Sequence, residues 1–428
     1  MGAIRLERCI AAMVALLFTF VLAVPFAPTS GAAPAKVTVI ASSEVVPVWE
    51  HAAQLFREKT GADVEIVSQG YNESFQKIVT SQVAGSHAYD IAKVDTIWLA
   101  QFAKSGFLVP LGPYLSKAFV ADTIPASLQQ MQYDGQIWAL DGAFNAKFFY
   151  YNKRLLRQAG IAQPPRTWEE LIQQTKVLQM KGLARYGIAW GWTQAEGLVC
   201  DYTLLLNDFG GRYQDAAGHW TLNSGAAVRA LAFMRDSLTS LKISDPSSIT
   251  LDDRGVVNLL IQGQIPYLVS WGFAWAWAQD PSRSKVVNDV GIGLIPGSTS
   301  AHTLSSSTGG GSGYGILRTS LHKDLAAQLL LIYASPEVQK WEMTALKFDQ
   351  ITSLQVLRDP AVVRSDPEMV GFANQFRYVY PRPILPWYSQ WSSVMQLQLH
   401  RALVGEATPQ QALDEAQRQI EQLATRVK

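Results

Sequence analysis

The stretch "KVTVIASSEVVPVWEHAAQLFREKTGADVEIVSQGYNESFQKIVTSQVAGSHAYDIAKVD", residues 36–95, decides the fold. Its first seven residues centre on the β-branched run Val37, Thr38, Val39 and Ile40, the pattern of a buried strand. Trp49, Ala52, Ala53 and Phe56 then recur at helical spacing, and Gly61 supplies a stop. "ADVEIVSQ" reads as a second strand, "YNESFQKIVTSQVAG" as a second helix and "YDIAKVD" as a third strand. Strand, helix, strand, helix, strand defines an α/β domain with a mostly parallel sheet.

Outward from this stretch the alternation continues. "TIWLAQFAKSG" predicts a third helix, and "DGQIWALDGAFNAKFFYYNKRLLRQAG" predicts strands around a turn and then a helix. Thr167 with Glu170 three residues on reads as a capping box. A helix is predicted from about Glu196 to Asn207. "DRGVVNLLIQGQIPYLVSWG" is a helix feeding a strand, and "DVGIGLIPG" is another strand. "STGGGSGYGIL" reads as a glycine-rich loop entering a strand. Ser335 caps a helix with Pro336 at its first position, and the last helices begin near Pro386 and Pro409. No repeat, low-complexity block or long linker separates independent domains.

The 428 residues exceed one ordinary core, so two domains are expected. Hydrophobic residues make up 48% and charged ones 17%, a globular balance. The net charge of +1 and the lack of a basic run argue against nucleic acid as a partner. Arg5 and Arg8 precede the apolar run Cys9 to Ala27, and small residues and prolines follow to Ala35. That order predicts a secretory signal peptide over residues 1–35, against a retained membrane anchor. Cleavage there leaves Cys200 as a lone cysteine and excludes a disulfide framework. An exported, neutral, disulfide-free chain points to the bacterial periplasm.

The order of motifs resembles the family 1 extracellular solute-binding proteins of ABC importers, in particular the sugar-binding, maltose- and trehalose-binding branch. The matching segments include "WEHAAQLFREKTG", "YDIAKVDTIWLAQFAKSGFLVPL", "LIQGQIPYLVSWG", "GIGLIPG", "GGGSGYGIL", "SPEVQKW" and "ALVGEATPQQALDEAQRQI". The resemblance implies the two-lobed periplasmic binding protein fold of type II, an α/β architecture with a ligand cleft between lobes and a hinge of three crossings near 144, 295 and 352. One lobe then comprises residues 36–144 and 296–352, the other 145–295 and 353–428. It implies a monomer that binds a carbohydrate, performs no catalysis, needs no cofactor or metal, and delivers its solute to membrane permease subunits.

Sugars present hydroxyls and apolar C–H faces, so their site needs aromatic platforms with planar hydrogen-bonding groups. "LVSWGFAWAWAQ", Leu268 to Gln279, sets Trp271, Phe273, Trp275 and Trp277 on alternate positions. Trp271 falls where the family carries a stacking aromatic, Phe273 belongs to either site or core, and Trp275 and Trp277 are read as packing or cleft rim. Asp95 ends the third strand, where open α/β sheets place ligands, and resembles the family's sugar-binding carboxylate; a helix cap is the alternative. Trp98 faces the cleft or fills the lobe. Glu44 and Asn145 match polar family positions. Gly310 and Gly311 offer backbone N–H groups or a flexible turn. Arg382, between two prolines, resembles an arginine that reaches the sugar. Trp190, Trp192 and Glu196 form a far cleft wall or pack internally. The histidines show no metal spacing, and no nucleophile motif appears. A binder of glycerol 3-phosphate or a glycerophosphodiester is the alternative within the class. A secreted carbohydrate-active enzyme is the alternative outside it, since paired carboxylates are recognised only by their spacing in space.

Overall fold

The computed structural model describes residues 35–142, 144–346, 351–365 and 367–427. The expected signal peptide therefore lies outside the described residues. So does the side chain of Glu44, whose backbone is in a short 3-10 helix at Ser43–Val45.

The strands, in chain order, are β1 Lys36–Ser42, β2 Asp63–Gln69, β3 Ile91–Asp95, β4 Gln132–Tyr133, β5 Gln136–Ile137, β6 Leu140–Asp141, β7 Asn145–Asn152, β8 Ile188–Ala189, β9 Tyr267–Trp271, β10 Val290–Gly293, β11 Ser307–Gly310, β12 Ser312–Ile316 and β13 Val379–Tyr380. One sheet has the order β2-β1-β3-β12-β6. A second has the order β13-β11-β7-β9-β8, with β10 on β7, and β4 and β5 form a separate hairpin.

In the first sheet β1 and β3 are parallel, as a strand–helix–strand unit requires. Helix Val46–Thr60 covers it with Val48, Trp49, Ala52, Ala53 and Phe56 buried, the stripe predicted from spacing. Gly61 ends that helix at φ 73°. Trp49 stacks on Tyr333 at 3.9 Å and meets Tyr314 edge-on at 4.8 Å, which ties the helix to β12 and to helix Lys323–Tyr333.

The expected parallel character holds with one exception in each sheet: β1, β3 and β6 share one direction in the first, and β8, β9, β10, β11 and β13 share one direction in the second. β12 runs antiparallel to both β3 and β6, and β7 is antiparallel to β9, β10 and β11. The reason lies in the connections. β7 and β12 enter their sheets by short passages from the other sheet rather than through a crossover helix, and nothing forces them parallel.

The chain changes sheet between Asp141 and Asn145. It changes back at Gly311, not near 295, because β11 is still paired with β7 and β13. The segment read as a glycine-rich loop is thus two strands broken at one residue. Gly311 sits at φ 115°, a conformation that only glycine adopts without strain. Apolar clusters flank both sheets, the larger around Trp168, Trp190, Trp192, Tyr202, Trp391 and the helix Pro409–Arg426. The N-terminus of helix Trp168–Met180 also departs from expectation. Thr167 accepts from the Glu170 backbone N–H at 3.1 Å, but the Glu170 carboxylate takes the Arg166 N–H at 2.8 Å, one residue upstream of a capping box.

Candidate functional site

Register brings the site together. Asp95, the last residue of β3, lies opposite Ser312. Asn145 opens β7 opposite Gly310, and Lys147, two residues on, lies opposite Trp271 at the end of β9. Strand ends from both sheets therefore converge on the crossing at Gly311. They line a cavity of about 240 Å³ with Ile97, Glu196, Gly197, Cys200, Asp253 and Arg382.

Trp271 is half-buried at this wall. Its indole Nε1–H donates to Asp253 Oδ2 at 3.0 Å, and its edge lies against Gly310. A methyl group at 310 would stand 2.6 Å from two ring carbons. Gly310→Ala must therefore push the ring off its position, and we expect solute affinity to fall about tenfold, measured by calorimetry on the folded variant. Asn145 turns its Oδ1 to the N–H groups of Ala146 and Gly272, at 2.9 and 3.2 Å, fixing the start of β7 to the end of β9. Asp95 accepts from the Ile97 N–H at 3.1 Å and from Thr96 Oγ1 at 3.3 Å. It thus orders the turn ahead of helix Leu99–Lys104, whose cap position is Trp98 rather than Asp95, and it lines the cavity.

Arg382 is nearly sealed, with its side chain 8% exposed. One terminal nitrogen donates to Glu196 Oε1 at 2.5 Å and the other to Thr96 Oγ1 at 3.2 Å and to the Gly309 carbonyl at 3.4 Å. Its fork is occupied by the protein rather than presented whole to a solute, while Nε is buried without a hydrogen-bond partner. Glu196 also accepts from the Tyr388 hydroxyl and, at 2.5 Å, from Ser392. The Arg382 group joins Thr96, which follows β3 of the first sheet, to Glu196 and Gly309 of the second sheet's side.

Other predicted residues are not in the cavity. Trp190 and Trp192 are buried and stacked on each other at 5.0 Å, with the Trp190 indole on Ser244. The "AWGW" alternation is a core arrangement, and the reading as a cleft wall is corrected. Trp98 is 5% exposed and packs on Phe75 and Phe102. Phe273 begins the helix Phe273–Gln279 and meets Trp277 edge-on at 5.1 Å, away from the cavity lining. Trp277 in turn carries Arg283 on its face at 4.6 Å.

A buried charge group that reaches the cavity through Asp253 escaped sequence reasoning. Lys147, wholly buried, pairs with Asp201 at 2.6 Å and Asp253 at 2.8 Å. These partners lie 54 and 106 residues away, so no local spacing signals them. A lysine interrupting the otherwise apolar run of β7 was the available clue. The attraction of two carboxylates outweighs desolvation and keeps Lys147 charged. Burial pushes Asp201 up to about 7 despite the pull of Lys147, and the Asp253 charge adds to the rise. Burial also pushes the Cys200 thiol up to about 12, which makes it unreactive.

The Asp201 shift has a sign that can be tested. Its folded value lies above the unfolded one of about 4, so between about pH 4 and 7 the folded state binds more protons. Stability from this group is therefore present at low pH and declines as pH rises through that window. Asp201→Asn should flatten this slope in urea unfolding measured from pH 4.5 to 7.5. A slope identical to wild type would show that the group does not titrate there.

Two sheets with a cavity walled from both define the two-lobed solute-binding class. The sequence profile described as bacterial extracellular solute-binding protein matches residues 41–340, and the chain belongs to that family. It is a solute-binding protein of an ABC transporter, as the motif order implied. A "Probable amino-acid ABC transporter periplasmic-binding protein" of Sinorhizobium fredii is 23% identical over 379 residues, 87% of this chain and 85% of the relative. The "Maltotriose-binding protein" of Pyrococcus abyssi is 22% identical over 293 residues, 68% of this chain and 60% of the relative. Among solved structures, maltose-bound MalE3 of T. maritima superposes with TM-score 0.78 at 27% identity, covering 91% of this chain and 100% of that one. The relatives are transport binding proteins.

Proposed function

We propose that this chain binds a neutral carbohydrate, a disaccharide or small oligosaccharide, and hands it unchanged to the permease subunits of an ABC importer. The observation that carries the reading is the half-buried Trp271 ring at a cavity bordered by the carboxylates of Asp95 and Glu196. An apolar ring face matches sugar C–H groups, and carboxylates accept from hydroxyls. Asn145, Gly310, Gly311 and Arg382 complete the proposed contacts. We propose lobes that meet at the crossings beside Asn145 and at Gly311, with closure stabilised by a solute touching both. Export through a cleaved signal peptide to the periplasm, and action as a monomer, belong to the same reading.

The name of the S. fredii relative raises an amino acid as solute. An α-carboxylate needs an open cation. Arg382 already holds Glu196, and Lys147 is sealed between two aspartates. The same argument disfavours glycerol 3-phosphate.

A thermal-shift panel of maltose, maltotriose and trehalose against glycerol 3-phosphate and glutamate tests the proposal. A solute binding only the folded state stabilises it by RT ln(1 + [L]/Kd), about 2.7 kcal/mol at a hundredfold excess over Kd. A carbohydrate should raise the melting temperature and the anions should not. Hydrolysis of a bound sugar would overturn the transport reading.

A further inference from the structure

Asp253 lines the cavity and pairs with the wholly buried Lys147, and neither residue was expected from the sequence to serve the site. Asp253 is the first residue of helix Asp253–Ile261, with its N–H groups capped by the preceding Asp252 through Gly255 at 2.8 Å. A carboxylate there is favoured by the helix dipole. Its two oxygens have separate duties: Oδ1 accepts from Lys147 Nζ at 2.8 Å and Oδ2 from the Trp271 indole at 3.0 Å. Lys147 is in turn held from behind by Asp201 at 2.6 Å, and its ammonium lies 5.3 Å from the Trp271 ring centroid. The ring edge also lies beside Gly310, where an added Cβ would stand 2.6 Å from two of its carbons. The Trp271 main chain is tied as well, its carbonyl accepting from the Tyr150 hydroxyl at 3.0 Å.

We infer that Lys147 and Asp253 act as one unit that fixes the orientation of the Trp271 ring at the cavity wall, making Asp253 a positioning residue for solute binding. The inference rests on the reading of Trp271 as the carbohydrate platform. Its physical basis is the count of acceptors. Two donors, an ammonium and an indole N–H, converge on one side chain. A carboxylate supplies an acceptor to each, whereas an amide has one carbonyl oxygen and turns its NH₂ against the other donor. A ring held in advance loses little freedom when a sugar settles on it; a ring released must be ordered at each binding event.

The test combines nitrogen–proton NMR of the indole groups with calorimetry, using maltose, maltotriose and trehalose as probes. The Trp271 resonance is the one missing in Trp271→Phe. In Asp253→Asn it should move upfield and exchange faster with solvent. Affinity for a probe that binds wild type should fall about tenfold or more. Because Asp253 acts through the ring, the double variant Asp253→Asn with Trp271→Phe should bind no more weakly than Trp271→Phe alone. Asp253→Glu keeps the charge beside Lys147 but displaces the acceptor by one methylene; it should give the same resonance shift in a chain whose buried ion pair is preserved. An unmoved Trp271 resonance in both variants overturns the inference, and so do losses that multiply in the double variant, which would make Asp253 an independent contact. If none of the three sugars binds wild type, or if Trp271→Phe binds as wild type does, the carbohydrate reading fails. The resonance then still decides whether the pair positions the ring.

Discussion

Replacing Lys147 by Met is expected to cost about 3–5 kcal/mol of folding stability at pH 7, because it leaves the buried Asp201 without its cation. Asp201 is fully buried with one oxygen already lacking a hydrogen bond, so it cannot turn to water for compensation. Urea unfolding followed by circular dichroism measures the loss. Lowering the pH to 5 should relieve part of it, since a protonated Asp201 no longer needs the ammonium. A cost below about 1 kcal/mol would mean that the Lys147 pairs contribute little beyond packing, as surface pairs do.

Arg382 is the second position where a large effect is expected. Its guanidinium reaches Glu196 with one nitrogen and Thr96 and Gly309 with the other. A lysine ammonium is a single point and cannot hold both sides of the cavity at once. Arg382→Lys should therefore keep the Glu196 pair, lose the link to Thr96, and weaken carbohydrate binding roughly thirtyfold, about 2 kcal/mol. Arg382→Ala should do at least as much and also destabilise the fold, because Glu196 then loses its cation. Titration calorimetry at fixed salt reads the first effect. Equal affinity in Arg382→Lys and wild type would show that the fork serves no binding role.

The division between what the sequence discloses and what it hides follows from range. Helix Val46–Thr60 was legible because its buried stripe repeats at the helical period and Gly61 marks its end. The position of Trp271 was legible because "PYLVS" reads as a strand running into the aromatic cluster, and β9 does end at that ring. The chain's return to the first sheet was placed too early, since the five glycines and serines from Gly309 to Gly313 give no hydrophobic alternation from which to read β11 and β12. Trp190 and Trp192 carry the same local signal as cleft aromatics; only packing against Trp168 and the second sheet separates the cases. The Lys147, Asp201 and Asp253 group is set by tertiary pairing alone. The fold thus follows mainly from periodicity, whereas the buried charge group follows from tertiary pairing of β7 with the helices Glu196–Asp208 and Asp253–Ile261, which brings distant residues within 2.8 Å of each other.

The most direct measurement is calorimetric titration of wild type and Trp271→Ala with maltose, maltotriose and trehalose, with glycerol 3-phosphate and glutamate as contrasts. The account predicts one-site binding of at least one carbohydrate to wild type and a loss of about thirtyfold or more in Trp271→Ala, with the variant still folded. Binding of an anion in place of every carbohydrate, or undiminished carbohydrate binding by Trp271→Ala, would contradict it.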